Sequence, residues 1–165
     1  MLVVRGILGR DEEQRFADRR REVLLIDSTD AAKRRLRATT DAGTDVAIDL
    51  ERGFYLAHGA VLVDDGERVV VVERKPEQVL VVRPSLALAP AELVRQAARI
   101  GHAFGNQHVP LEVAEGEIRI PITTSPEIAA GTVRTLGLEG VEISVSLARL
   151  GKEHPIGSQA ADEHG

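Results

Sequence analysis

Over the first half of the chain, apolar and polar residues alternate with a period near two, in short runs rich in Val, Ile and Leu between turn residues. That period marks half-buried strands, and residues 2–8, 22–26, 34–38, 45–50 and 69–73 are read as such. Two hairpins are signalled directly. Asp41-Ala42-Gly43 lies between the strands at 34–38 and 45–50, and Asp64-Asp65-Gly66 between apolar runs at 60–63 and 68–72. The glycine in each can take the positive φ of a tight turn. Residues 11–21 break the pattern; rich in charge, they read as a solvated loop in preference to a helix.

The period changes after the strand-like run at 78–82. Leu93, Ala97, Ile100 and Phe104 then form one apolar stripe of a helix that begins beside Pro90 and ends at Gly105. Strands at 109–113 and 117–122 follow, joined by Ala114-Glu115-Gly116. A second helix starts at Ser125, whose hydroxyl can cap free amides; it carries Ala129, Val133 and Leu136 on one face and stops at Gly137. Residues 141–147 alternate throughout as a last strand. The order β-α-β-β-α-β is that of a ferredoxin-like sandwich, two helices on one face of a four-stranded antiparallel sheet. The expected fold class is therefore α+β. A small all-β domain spans residues 1–76 and a ferredoxin-like βαββαβ domain 77–150, with a flexible tail over 151–165. The polar, proline-bearing segment Arg74-Lys75-Pro76-Glu77 is the expected linker.

Composition then narrows the chemistry. With 165 residues and no cysteine, the chain has no disulfide, no thiolate metal site and no cysteine nucleophile, which leaves five histidines as nitrogen donors. One Tyr, three Phe and no Trp give few stacking platforms, and a net charge of −5 is ill suited to a phosphate backbone, so no nucleic-acid partner is expected. No apolar run approaches the ~20 residues of a membrane helix. The first ten residues lack the pattern of a signal peptide, so a cytoplasmic location and no membrane partner are expected. No nucleophile elbow, phosphate loop or dinucleotide glycine fingerprint is present, and an enzyme is not expected.

The conspicuous stretch is Gly101-His102-Ala103-Phe104-Gly105-Asn106-Gln107-His108-Val109-Pro110, where the first helix of the second domain gives way to a strand. Gly105 and Asn106 both tolerate left-handed backbone and can turn the chain so that His108 is displayed. The plainer reading, ordinary polar residues at a helix end, is ahead on composition and spacing, because a metal site needs several ligands. A two-fold axis beside His108 alters that count, since it pairs two imidazoles, and His154 and His164 of the tail could add to them. Imidazole and carboxylate ligands suit Ni(II), Cu(II), Zn(II) or Co(II) without choosing among them.

The run Gly105-Asn106-Gln107-His108-Val109-Pro110-Leu111 resembles the Gly-Asn-Arg-His-x-Pro loop of the UreE urease accessory proteins, and Gly116-Glu117-Ile118-Arg119 its usual continuation. Upstream, Leu50-Glu51-Arg52-Gly53 and Gly59-Ala60-Val61-Leu62 are similar to that family's Leu-Pro-Arg-Gly and Gly-Asp-x-Leu segments. The resemblance implies a β domain that binds peptide partners and a ferredoxin-like domain that dimerises head to head. It also implies Ni(II) held as cargo by His108 of each subunit, with His164 of the tail as a further ligand, and Zn(II) or Cu(II) as substitutes in vitro. The implied partners are a second copy, the urease accessory GTPase, and urease apoprotein with the other accessory proteins. Gln107 stands where the family has Arg, and Ile122, Thr123 and Thr124 stand where many members carry further histidines, so about one ion per dimer is expected. Three readings follow: a nickel metallochaperone, a metal-independent adaptor in urease assembly, and a hydrolase with a histidine-bound metal.

Overall fold

The computed structural model describes residues 1–51, 55–152 and 156. The described residues divide into two compact units, the first Met1–Lys75 with Leu150–Lys152, the second Pro76–Arg149 with Ile156.

The first unit holds two sheets. In one, β1 (Leu2–Val4) pairs in parallel with β5 (Asp45–Asp49), which pairs antiparallel with β4 (Arg35–Thr39). In the other the order is β2 (Gly9–Arg10), β6 (Ala60–Asp64), β7 (Arg68–Arg74), β3 (Arg20–Ile26), with β3 parallel to β7. Val4, Val46 and Ile48 of the first sheet and Leu24, Ile26, Val70 and Val72 of the second form one buried core. Of the strand expected over residues 2–8 only β1 forms; β2, which follows it, lies beyond that range and joins the other sheet. The one-turn helix α1 (Ser28–Ala31), capped by the Asp27 carboxylate accepting from the Asp30 amide, is an addition to the expected elements.

Residues 11–21 are not simply solvated. A single 3-10 turn at Gln14–Phe16 sets Phe16 against Val61, Val69 and Val71 on the outer face of the second sheet. β7 is thereby covered on both sides, which is why Arg-Val-Val-Val-Val reads as a continuous apolar run and not as an alternation.

The expected linker is also different. β7 ends at Arg74 and β8 (Pro76–Arg83) begins at Pro76, so only Lys75 intervenes. Arg74 is fully buried: its guanidinium donates to Ser28 Oγ at 2.8 Å, to the Tyr55 hydroxyl and to the Leu56 carbonyl at 3.4 Å. These acceptors offset part of the cost of taking the cation out of water. Of the expected tail, Gly151 packs against Arg74, and Ile156 forms an antiparallel bridge with Leu111; residues 153–155 and 157–165 lie outside the described residues.

In the second unit the elements run β8, α2 (Pro90–Asn106), β9 (Glu112–Ala114), β10 (Glu117–Pro121), α3 (Pro126–Thr135), β11 (Glu142–Arg149). The sheet is antiparallel in the order β11-β8-β10-β9. Leu80 and Val82 of β8 and Ile118 and Ile120 of β10 share one core with Ile100 and Phe104 of α2 and Ala129, Ala130 and Val133 of α3. The buried stripe of α2 is Gln96, Ile100 and Phe104; Ala97 is exposed, and Gln96 takes the inward position by donating to the Glu139 carbonyl at 3.0 Å. The β9–β10 turn has Glu115 at φ 55° and Gly116 at φ 75°, the double positive φ of a tight hairpin. No helix among the described residues is long and apolar enough to cross a membrane.

Candidate functional site

The site is built on the C-terminal end of α2. Phe104 and Val109 both pack into the core of the second unit, and the four residues between them must turn the chain in that span. The His108 amide donates to the Gly105 carbonyl at 3.0 Å, and the Val109 amide to the Phe104 carbonyl at 3.1 Å. These two bonds are the Schellman pattern, with Gln107 as C-cap, His108 in the left-handed position that follows it and Val109 as the apolar residue that closes on Phe104. Gly105 and Asn106, expected to supply the left-handed turn, are helical; His108 itself has φ 57°. Glycine usually holds that position, and at the end of α3 Gly137 does, at φ 63°. The missed signal is the apolar pair five residues apart, Phe104 and Val109, which fixes which residue is left-handed.

His108 is exposed, and among the described residues no side chain holds its imidazole. The loop around it is braced instead by Gln107, whose side-chain amide donates to Thr132 Oγ1 of α3 at 3.2 Å, and by Asn106, whose amide lies 3.3 Å from Nε2 of His102. The free carbonyls at the end of α2 carry partial negative charge and the last turn holds no basic residue, so the field at His108 favours a cation.

Of the other histidines, His102 lies one and a half turns back on α2, and His58 belongs to the first unit, where its Nδ1 accepts from the Arg74 amide at 3.2 Å. His154 and His164 lie outside the described residues. Among the described residues no three His, Asp or Glu side chains converge closely enough to hold a metal ion. Among the described residues, the braced turn thus displays one imidazole, that of His108.

The model of the UreE urease accessory protein N-terminal domain matches residues 4–75. Over 148 residues the chain is 30% identical to proteins named urease accessory protein UreE from Yersinia pestis (strain Pestoides F) and Yersinia pseudotuberculosis (serotype O:1b), covering 84% of this chain. The chain spans 64% of the length of those relatives. The chain is thus similar to a UreE N-terminal domain over residues 4–75, and to proteins named urease accessory protein UreE over 84% of its length.

Proposed function

We propose that this protein is a cytoplasmic nickel metallochaperone, an accessory protein without catalytic turnover, that binds Ni(II) as cargo at His108 of two copies and delivers it to apo-urease. The observation that carries the reading is His108 at φ 57°, an imidazole kept exposed in a backbone position that glycine fills more cheaply. A single imidazole is too few for a metal site, and a two-fold axis beside it supplies the second without further sequence. In this reading residues 77–150 are a ferredoxin-like dimerisation domain, the strand order β11-β8-β10-β9 with both helices in one core being the arrangement that supports it. Residues 1–76 form the partner-binding domain, and the tail, 151–165, adds His164 as a ligand. The urease accessory GTPase and urease apoprotein with the other accessory proteins are the partners, and Zn(II) or Cu(II) binds in place of nickel in vitro. An exposed site of few ligands exchanges its ion readily, as a carrier must.

The second reading, a metal-independent adaptor in urease assembly, is favoured by one fact: the family model matches residues 4–75, the part of the chain without His108. Calorimetric titration with Ni(II) separates the two. The metallochaperone reading expects about one ion per dimer and a loss of about tenfold or more in affinity for His108→Ala. A smaller loss for His164→Ala marks an added tail ligand. Equal affinity in wild type and His108→Ala refutes the site, and no binding by either leaves the adaptor.

A further inference from the structure

Among the described residues the three sheets have six outer edges, and five of them are closed to strand pairing. β1, β2 and β9 are three, two and three residues long. β4 carries exposed Arg35 and Arg37, held by Asp49 at 3.3 Å and Asp45 at 2.7 Å. On β3 the Asp41 loop occupies the edge, its carboxylate accepting from the Val23 amide at 2.8 Å and its amide donating to the Val23 carbonyl at 3.0 Å. Short strands, charge and covering loops are the usual ways in which proteins block edges.

Among the described residues β11 has none of these. It is eight residues long and outermost in its sheet, and between Glu142 and Arg149 it runs Ile143-Ser144-Val145-Ser146-Leu147-Ala148 without charge or proline. Val145 is 45% and Leu147 71% exposed, on the face that carries the helices, because Val145 pairs with Leu80. A strand of this kind is a template for another strand.

We propose that the outer edge of β11 docks antiparallel against β11 of a second copy, in the register centred on Val145. The occupant follows from the order of the residues. A two-fold axis normal to the sheet at Val145 places Val145 against itself, Ile143 against Leu147 and Ser144 against Ser146, so apolar meets apolar on one face and hydroxyl meets hydroxyl on the other. Such an interface is isologous, each surface being its own complement, whereas a foreign peptide has no reason to share that palindrome. The paired sheets form one continuous eight-stranded sheet, and the contact is smaller than that of a permanent dimer, so association is weak and concentration-dependent. β11 and β9 are opposite edges of the sheet, so the contact needs no metal at His108.

The chain has no cysteine, which makes the test clean. Full-length Val145→Cys is oxidised mildly with chelator present, in an otherwise wild-type and in a His108→Ala background, beside Val3→Cys, which is 57% exposed in the other unit. In the stated register two Val145 Cβ atoms come within disulfide reach, so Val145→Cys forms linked dimer about tenfold or more faster than Val3→Cys in both backgrounds. Val145→Lys opposes two like charges and raises the dissociation constant seen by sedimentation about tenfold or more. Hydrogen exchange by the β11 amides slows as protein concentration rises. Equal linking of the two cysteine variants overturns the proposal, and so does faster linking by Leu147→Cys. Protection of β11 that is independent of concentration also overturns it, and assigns the edge to the chain's own C-terminal residues. Rapid exchange at every concentration does the same in favour of another partner.

Discussion

Glu22 supplies a stability prediction whose size and pH dependence both follow from its contacts. On β3 its carboxylate is 3% exposed and accepts from Thr44 Oγ1 at 2.7 Å, Thr40 Oγ1 at 3.0 Å and Arg68 Nη1 at 2.7 Å. The Thr44 hydroxyl first, then Arg68, hold its pKa below the ordinary value of 4.5, burial opposing them. Glu22→Ala leaves two hydroxyls and part of a guanidinium without their acceptor. Hydrogen bonds to a charged group are worth roughly 1.5–3 kcal/mol each, and a broken buried pair costs roughly 3–5 kcal/mol. Arg68 is 22% exposed and keeps Asp65 at 2.9 Å, which discounts its share. We expect a loss of about 3 kcal/mol for Glu22→Ala and about 2 kcal/mol for the isosteric Glu22→Gln. Because the folded carboxyl is the more acidic one, its contribution is complete above 4.5 and disappears as pH falls through the folded value. Urea unfolding followed by far-ultraviolet circular dichroism is the assay, since the chain has one Tyr and no Trp. The gap between wild type and Glu22→Gln must shrink on going from neutral pH to about pH 3. A constant gap, or a loss below about 0.5 kcal/mol for Glu22→Ala, refutes the reasoning.

Gly151 lies at φ 96°, and a Cβ there would stand 2.6 Å from Arg74 Nη1 and 2.8 Å from its Cγ; Gly151→Ala should lose about 2–4 kcal/mol in thermal unfolding. His108→Gly should keep or raise stability by up to about 1 kcal/mol while losing nickel in the titration, whereas Gly137→Ala, at the matching position after α3, should lose about 1 kcal/mol. Ser125 Oγ accepts from the Ile128 amide at 3.2 Å, so Ser125→Ala should lower the urea midpoint by the equivalent of about 1 kcal/mol.

What the sequence made legible was whatever depends on neighbours a few residues apart. The 3.6-residue stripe located α2 and α3, the caps Ser125 and Gly137 ended α3 correctly, and alternation located β11. Arg74 was illegible because its partners Ser28, Tyr55 and Leu56 are 46, 19 and 18 residues away; a window centred on Arg74-Lys75 sees two charges and reads solvent. Phe16 hides for the same reason, its neighbours being Val61, Val69 and Val71. Periodicity also reports which face a residue takes and is silent on edges, so the exposed side of β11 emerges only once the strand order is known.

The turn at His108 is the instructive intermediate case. Residue tolerance pointed to Gly105 and Asn106, but tolerance only says which residues can be left-handed. Packing decides which one is: with Phe104 and Val109 both in the core, the Schellman bonds leave that role to His108. α2 and α3 end with the same left-handed demand in the same unit, one met by His108 and the other by Gly137. Fold alone gives no reason for the difference, since glycine satisfies both. The imidazole at the end of α2 costs backbone energy that the glycine after α3 does not, and that asymmetry, measurable as opposite responses to His108→Gly and Gly137→Ala, is the physical ground for proposing that the residue serves metal binding and not the fold.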